Sequence, residues 1–293
     1  MRLKAIRWRA WWALLALLAM ALTARALVPL TAPSLPERVV GADRIVIGKV
    51  TKIEEDAVEA SPVVKVPGVA TKVRYRIAVV AVESPLLGAE GVQSVRVAFV
   101  PPADSGGKPG RGAARYARME LKAGQGGCWF LHKHPDESFH VAQAAYDIID
   151  RAKEKDFEKQ VALVKRCVRL LNDTKSGLQS KEADDRLLTA ALLIYRYRTP
   201  RHVYRGQPKT EPIDAEKSKQ ILAALAEADW TGKESAAKPT PLRLFLRLDL
   251  TAQDGWKPPA VLSEVAPAAR QWLHDHADSY RIRRYVPPDE HGN

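Results

Sequence analysis

Residues 124–136, with the sequence GQGGCWFLHKHPD, hold the densest group of reactive side chains in the chain: Cys128, His132 and His134 lie within seven positions. The apolar residues before the histidines predict a β-strand, and the alternation of a strand places these three side chains on one face. Imidazole and thiolate are the ligands that zinc and copper prefer, and His140 follows closely along the chain. The spacing therefore permits a metal site formed by His132 and His134, with His140 or Cys128 as the third ligand.

Two other interpretations of this segment stay open. Pro135 predicts that the strand stops at His134, so that this histidine lies in a loop. A surface turn with solvated histidines then explains the same residues without a metal. A catalytic pair of Cys128 with a histidine is the remaining alternative, but the sequence places no Asn or Asp to orient the imidazole.

The two cysteines of the chain, Cys128 and Cys167, could be linked. In an oxidising compartment one disulfide would close a loop of about 40 residues and stabilise the fold by roughly 3 to 4 kcal/mol. The alternative is two separate buried thiols, since a free cysteine packs as a small apolar residue. The sequence leaves both alternatives open.

A second candidate site is the segment YRYRTPRHVYRGQPK, residues 195–209, in which basic and aromatic side chains alternate. Guanidinium forks and aromatic faces hold carboxylates, phosphates and sugar rings. Pro200 ends the preceding helix, so much of the segment is expected to be an exposed loop. We therefore predict a binding surface that consists of Tyr195, Arg196, Arg198, Arg201, Tyr204 and Arg205.

The same mixture of residues returns on a smaller scale in YRIRRYV, residues 280–286. The alternative for both segments is structural. The tyrosines then pack between helices, while the arginines are solvated or paired with nearby carboxylates.

Established catalytic motifs are absent from the sequence. It contains no G-x-S-x-G, H-E-x-x-H or C-x-x-C, and SGGKPGRG lacks the spacing of a phosphate-binding loop. The sequence therefore favours a protein without catalytic activity and without a cofactor. An enzyme built from dispersed residues stays open.

The first 26 residues have the three parts of a secretory signal. These are the basic start MRLKAIRWR, the apolar run AWWALLALLAMAL and the cleavage site Ala24-Arg25-Ala26. The apolar run is too short to span a bilayer comfortably. We expect export to the periplasm or the extracellular space, and contact with the membrane only through an uncleaved signal.

Removal of the signal changes the charge of the protein. The signal holds five basic residues and no acid, so Lys plus Arg falls from 46 to 41 against 34 acids, and the net charge falls from +12 to +7. A basic exported protein suits an anionic envelope polymer or another exported protein. Export argues against nucleic acid as the partner.

The elements that position these candidates predict an α+β fold. Residues 27–40 are rich in proline and predict an extended lead-in. Residues 41–150 alternate with a period of two, which predicts a small antiparallel β-barrel or a sandwich. Residues 151–293 have a helical period and predict a helical domain, with helix caps at Asp156, Asp214 and Thr240.

Residues 40–136 resemble a known family. DRIVIGKVTKIE, YRIAVVAVESPLLG, VRVAFVPP and MELKAGQGGCWFLHKH follow the layout of netrin-like or tissue-inhibitor-of-metalloproteinase-like barrels in uncharacterised secreted bacterial proteins. The resemblance implies an oligonucleotide/oligosaccharide-binding (OB) type of barrel, with partner contacts made by loops and one end. The eukaryotic inhibitors insert an N-terminal cysteine region into a protease. This chain has no cysteine before Cys128, so that mode of inhibition is not carried over.

Together these patterns predict an exported, non-catalytic binding or interaction protein of the cell envelope. The sequence does not identify the partner, and an anionic envelope polymer and another exported protein are both open. The alternative from another class is a metal-binding protein or a hydrolase that uses His132, His134 and their neighbours.

Overall fold

The alternating segments of the sequence form strands, because side chains that point to opposite sides of a sheet can bury one face each. The computed structural model describes residues 32–63, 72–102, 118–200, 208–232 and 239–286. The predicted signal, residues 1–26, lies outside these ranges. Within them, seven strands form the main sheet: β1 (Arg44–Ile53), β2 (Val58–Ala60), β3 (Val73–Leu87), β4 (Ser94–Phe99), β5 (Gly126–Lys133), β6 (His140–Val141) and β7 (Ile148–Asp150).

Five of these strands pair in a ring. β1 pairs antiparallel with β3 and β5, β3 pairs antiparallel with β4, and β5 pairs antiparallel with β6. The parallel pair β4–β6 completes the ring, while β2 and β7 pair outside it with β3 and β5. A ring with an odd number of strands cannot alternate in direction all the way round. One parallel pair is therefore unavoidable, and it departs from the wholly antiparallel prediction.

Gly48 allows β1 and β3 to approach closely. The register between these strands shifts between Ile47 and Gly48. A Cβ atom at Gly48 would lie 2.4 Å from the carbonyl oxygen of Ala81, so a larger residue does not fit without a shift of backbone. The Gly48 carbonyl also accepts a hydrogen bond of 3.1 Å from Nε1 of the buried Trp129.

The helical half follows the predicted α-helical period, which confirms the α+β class. None of the helices in the described ranges combines the length and the apolar character that crossing a membrane requires. A small second sheet pairs β8 (Thr210–Pro212) with β9 (Arg283–Tyr285). The helices are α1 (Leu35–Gly41), α2 (Phe157–Asn172), α3 (Thr174–Leu178), α4 (Ala183–Arg198), α5 (Ala215–Ala226), α6 (Pro241–Arg247) and α7 (Val265–His276).

Two of the three predicted helix caps are formed. The side chain of Asp214 accepts from the backbone N–H of Lys217 at 2.9 Å, and that of Thr240 accepts from the N–H of Arg243 at 3.2 Å. These bonds satisfy donors that the first turn of a helix leaves free. Asp156 precedes α2 but makes no side-chain cap bond.

Helix α1 corrects the predicted extended lead-in over residues 27–40. Leu35–Gly41 is helical, with Pro36 in the first turn, where a missing N–H costs nothing. Leu35, Val39 and Val40 are at most 4 % exposed. A helix of seven residues is not stable by itself in water, so the packing of these side chains holds it in place.

Alternate residues of β1 and β5 belong to two different apolar clusters. Ile45 and Phe130 pack in a cluster with α1 and with helices of the C-terminal half. Val46 and Leu131 pack in a second cluster with side chains of β3 and β4. The sheet is thus covered on one face by helices, and the first cluster runs continuously from the sheet into the helical half.

Candidate functional site

The two basic-aromatic segments of the sequence lie side by side. β8 directly follows residues 195–209, and it pairs antiparallel with β9, which lies within residues 280–286. The backbone N–H of Val286 donates to the carbonyl oxygen of Lys209 at 3.0 Å. The fold therefore brings Lys209, at the end of the first segment, next to Val286, at the end of the second.

Arg198 belongs to the buried part of this region. Its side chain lies in the interior, with the residue only 8 % exposed. Nη2 bonds to Oδ2 of Asp249 at 3.2 Å, while Nη1 and Nε donate to the carbonyl oxygens of Arg283 and Arg247 at 3.3 and 3.4 Å. The guanidinium carbon also lies 5.0 Å from the ring centroid of Tyr285. Arg198 thus connects α4, α6 and β9.

Tyr195 is buried as well, with 1 % exposure. Its hydroxyl accepts a hydrogen bond of 3.3 Å from Oγ of Ser34, and burial raises its pKa. Residues three apart lie on the same side of a helix, so Tyr195 and Arg198 point inwards together. The predicted binding surface is therefore wrong for these two residues.

The exposed part of the region is a different set of residues. Arg196 is exposed, and no ion pair is formed by it within the described ranges. Tyr197 is half-buried; burial raises its pKa, whereas the positive charges of Arg196 and Arg284 lower it. Arg283 and Arg284 are exposed on β9. We name Arg196, Tyr197, Arg283 and Arg284 the basic-aromatic surface. The predicted Arg201, Tyr204 and Arg205 lie outside the described residues.

The arginines of β9 are held in place by β8. Nε and Nη2 of Arg283 donate to the hydroxyl and the carbonyl oxygen of Thr210 at 2.8 and 2.9 Å. Arg284 pairs with Glu211, and its side chain stays 54 % exposed. Guanidinium groups held beside a tyrosine ring can bind carboxylate, sulfate or phosphate groups of a partner.

His134, which the sequence offers as a metal ligand, is a structural residue. It is fully buried just after β5, in contact with the rings of Tyr75 and Phe139. Its Nδ1 accepts from the backbone N–H of Asp136 at 3.1 Å, and its Nε2 lies 2.8 Å from the carbonyl oxygen of Ser61. Both ring nitrogens are thus used by the protein, so neither is open to a metal.

The other two histidines do not complete a metal site either. His132 Nε2 lies 3.8 Å from Oδ2 of Asp147. Burial and, next, the positive charge of Arg44 lower the pKa of His140 to about 4. Among the residues that the structure describes, no group of three His, Cys, Asp or Glu side chains is arranged to hold a metal ion. The predicted set of His132, His134 and His140 is therefore not brought together.

Cys128 and Cys167 are both buried free thiols in the structure. Burial raises the pKa of each thiol to about 12. A thiol with so high a pKa carries almost no thiolate at neutral pH, and the thiolate is the reactive form. The two cysteines therefore pack as apolar residues, which was one of the two alternatives left open by the sequence.

A cleft of about 280 Å³ lies between the start of α4, the end of α5 and the start of α6. Asp184, Glu227 and Asp229 contribute carboxylates to its lining. Glu227 pairs with Arg186 at 2.8 Å, and Asp229 accepts from the hydroxyl of Thr231 at 2.6 Å. The cleft has the opposite charge to the basic-aromatic surface, and its carboxylates already have partners.

Sequence reasoning missed a further charged group. Arg38 on α1 lies over the ring of Phe130, next to the buried Asp147. No period or motif in the sequence marks Arg38, because it lies in the segment that predicts an extended lead-in.

The chain matches no protein-family model, and no curated protein is significantly similar to it. The resemblance of residues 40–136 to netrin-like barrels therefore stays a prediction. The function has to be argued from the geometry of the residues themselves.

Proposed function

We propose that this chain is an exported, non-catalytic binding protein of the cell envelope, which holds an anionic partner through the basic-aromatic surface. One observation carries the proposal. Described residues of two basic-aromatic segments that are distant in the sequence lie close together, and the exposed Arg196 and Arg284 are near enough to Tyr197 to lower its pKa. Such a concentration of guanidinium groups favours anionic polymers and acidic proteins over neutral partners.

Export is supported by the first 26 residues and by the charge of the rest of the chain. The basic start, the apolar run and the small-x-small site are the parts of a secretory signal. A net charge of +7 after its removal suits a partner in an anionic envelope. Sequencing the N-terminus of the protein recovered from the medium or the periplasm tests export, since we expect it to begin at Leu27.

We further propose that the ring of five strands is a barrel of the OB type. The strand order β1–β3–β4–β6–β5 with return to β1, and the single parallel pair β4–β6, support this topology. Such small barrels present loops and one face to oligonucleotides or oligosaccharides. The resemblance to netrin-like barrels points to the same architecture.

The surroundings of His134 and Cys128 favour a non-catalytic role over a hydrolase or a metal-binding protein. His134 uses both ring nitrogens in hydrogen bonds, and Cys128 has a pKa of about 12. A nucleophile or a metal ligand at these positions would first have to give up its packing.

The test measures binding of residues 27–293 to polygalacturonate, a carboxylate polymer, with neutral dextran as the negative control. Replacement of Arg196, Arg283 and Arg284 by Gln should weaken binding about tenfold or more, because three exposed charges are lost. The charge-matched control replaces three other exposed cations, whose side chains are 68 to 86 % exposed: Lys153, Lys159 and Arg169.

We expect the control triple variant to bind within about twofold of the natural chain, and salt to weaken binding of both. Equal loss in the two triple variants would mean that only net charge matters. That outcome, or no binding to the polymer at all, would reject the basic-aromatic surface as the contact site.

A further inference from the structure

Arg38 is held between α1 and the sheet in an unusual environment. Its guanidinium carbon lies 4.2 Å from the ring centroid of Phe130 on β5. A guanidinium over an aromatic face is attracted by the electron-rich ring, and its donors then point outwards within its own plane. The orientation of that plane is thus fixed by the strand below it.

One edge of this guanidinium has no acceptor. Nε and Nη2 of Arg38 are both shielded from solvent, and neither has a hydrogen-bond partner in the described part of the chain. These two nitrogens form the edge that holds a carboxylate by two parallel bonds. Arg96 uses the same edge in this protein: its Nε and Nη2 donate to the two carboxylate oxygens of Glu54 at 2.8 and 2.7 Å.

Asp147, the carboxylate with the largest electrostatic effect on Arg38, does not fill this edge. Asp147 is 4 % exposed, and its Oδ2 accepts from the backbone N–H groups of Gln143 and Ala144 at 2.7 and 3.0 Å. These bonds direct Asp147 to the 3₁₀ turn, residues 145–147, rather than to the guanidinium. Asp147 still acts at a distance: burial lowers the pKa of Arg38, and the charge of Asp147 partly raises it again.

The shape and charge of the surroundings favour one class of ligand. Two parallel N–H donors fit a planar group with two oxygens. Asp147 and Glu154 both act on Arg38 electrostatically, so a dianion would be repelled more strongly than a monoanion. We propose that the Nε/Nη2 edge of Arg38 binds the carboxylate of a ligand, either a small organic acid or an acidic residue of a peptide.

Access to this edge requires a local movement. Tyr146 in the 3₁₀ turn is 43 % exposed and lies near enough to Arg38 for the two groups to influence each other's charge. The two nitrogens are shielded from solvent, so a carboxylate reaches them only when neighbouring side chains move.

The test uses residues 27–293 and saturation-transfer NMR with propionate, at an ionic strength kept constant with chloride. The natural chain should bind propionate. Arg38→Lys, which keeps the charge but lacks the fork, should bind it at least about tenfold more weakly. Arg169→Lys, at an exposed position of α2 outside both proposed sites, is the matched control and should bind propionate as the natural chain does.

Binding measurements with two other ligands distinguish the class of ligand and its source. If propionate does not bind, a short polyglutamate peptide that binds the natural chain but binds Arg38→Lys at least about tenfold more weakly would support the carboxylate site and identify its source as a protein; polyglutamate binding that is equal in both proteins would overturn the proposal. Inorganic phosphate that binds more tightly than propionate would overturn the carboxylate assignment. If Arg38→Lys fails to fold, the thermal midpoint of the natural chain decides: a midpoint that propionate raises no more than chloride does would overturn the proposal.

Discussion

The contrast between Arg196 and Arg198 gives the sharpest test of the revised site. The two arginines are two residues apart on α4, so their side chains point in directions about 200° apart. Arg196 is exposed, whereas Arg198 is 8 % exposed and has four contacts inside the protein. Replacement of each by Ala should therefore have different effects, on binding for Arg196 and on stability for Arg198.

The magnitude for Arg198→Ala follows from its contacts. The long bonds to two carbonyl oxygens contribute about 0.5 to 1 kcal/mol each, and the contact with Tyr285 contributes about as much again. The ion pair adds less than about 0.5 kcal/mol, because the side chain of Asp249 is 80 % exposed. With the packing of the buried stem, the free energy of unfolding should fall by roughly 2 to 3 kcal/mol.

Urea unfolding followed by tryptophan fluorescence measures this difference. The urea midpoint of Arg198→Ala should fall by about 1 M. The free energy of unfolding of Arg196→Ala should change by no more than about 0.5 kcal/mol, as for an ordinary surface substitution. Arg196→Ala should instead weaken binding to polygalacturonate. Equal unfolding midpoints for the two variants would refute the assignment of Arg198 to the interior.

Three further predictions concern the titrating and charged groups of the core. Glu37→Gln removes a carboxylate that pairs with two arginines of α6, the nearer at 3.1 Å. The free energy of unfolding, measured with urea, should therefore fall by about 1 to 3 kcal/mol. An unchanged urea midpoint would contradict this role of Glu37. The pKa of His140 is about 4 in the folded protein against 6.5 as the ordinary value, so the unfolded chain binds more protons between these pH values. The free energy of unfolding should therefore fall by about 1 to 3 kcal/mol as the pH is lowered from 6.5 to 4, and this decrease should be smaller in His140→Gln. The same pH dependence of the free energy of unfolding in both proteins would contradict the prediction. Cys128 and Cys167 should react with a thiol reagent only after unfolding, and a mass under non-reducing conditions that is two hydrogens lower would instead reveal a bridge.

The regular elements could be predicted from the sequence because their signals are local. Alternation in YRIAVV and VRVAF predicts β3 and β4, since a period of two buries one face of a strand. Asp214 and Thr240 predict the starts of α5 and α6, since their side chains satisfy free N–H groups nearby in the chain. Nothing distant in the sequence is needed for either inference.

Features that depend on distant partners could not be predicted. α1 has seven residues and no visible period, and its stability comes from packing against α4 and β5. β6 has two residues, and its parallel pairing with β4 is set by the closure of a five-membered ring. A segment this short carries no sequence signal of its own.

For the candidate site, the helical period of α4 predicts part of the arrangement. Residues at positions i and i+2 of a helix diverge by about 200°, so Arg196 and Arg198 could not both face a partner. Tyr195 and Arg198 share one side of α4 with the apolar Leu188 and Ala191, whereas Arg196 lies on the side of Leu192 and Leu193, which are buried as well. Helical geometry therefore shows that the two arginines diverge, but tertiary packing decides which of them is buried.

The position of α1 relates the predicted export signal to the core and to the proposed carboxylate site. The helix begins at Leu35, shortly after the predicted cleavage site at Ala26, and its apolar side chains complete a cluster that holds Phe130 of the sheet and Tyr195 of α4. Its polar side chains contact the same two parts of the protein: Glu37 bonds to α6 in the helical half, and Arg38 lies over Phe130 of the sheet. Loss of the helix would therefore expose both the sheet and the helical half. Cleavage at Ala26 would leave this helix whole, whereas cleavage within Leu35–Gly41 would remove side chains that hold the two halves together.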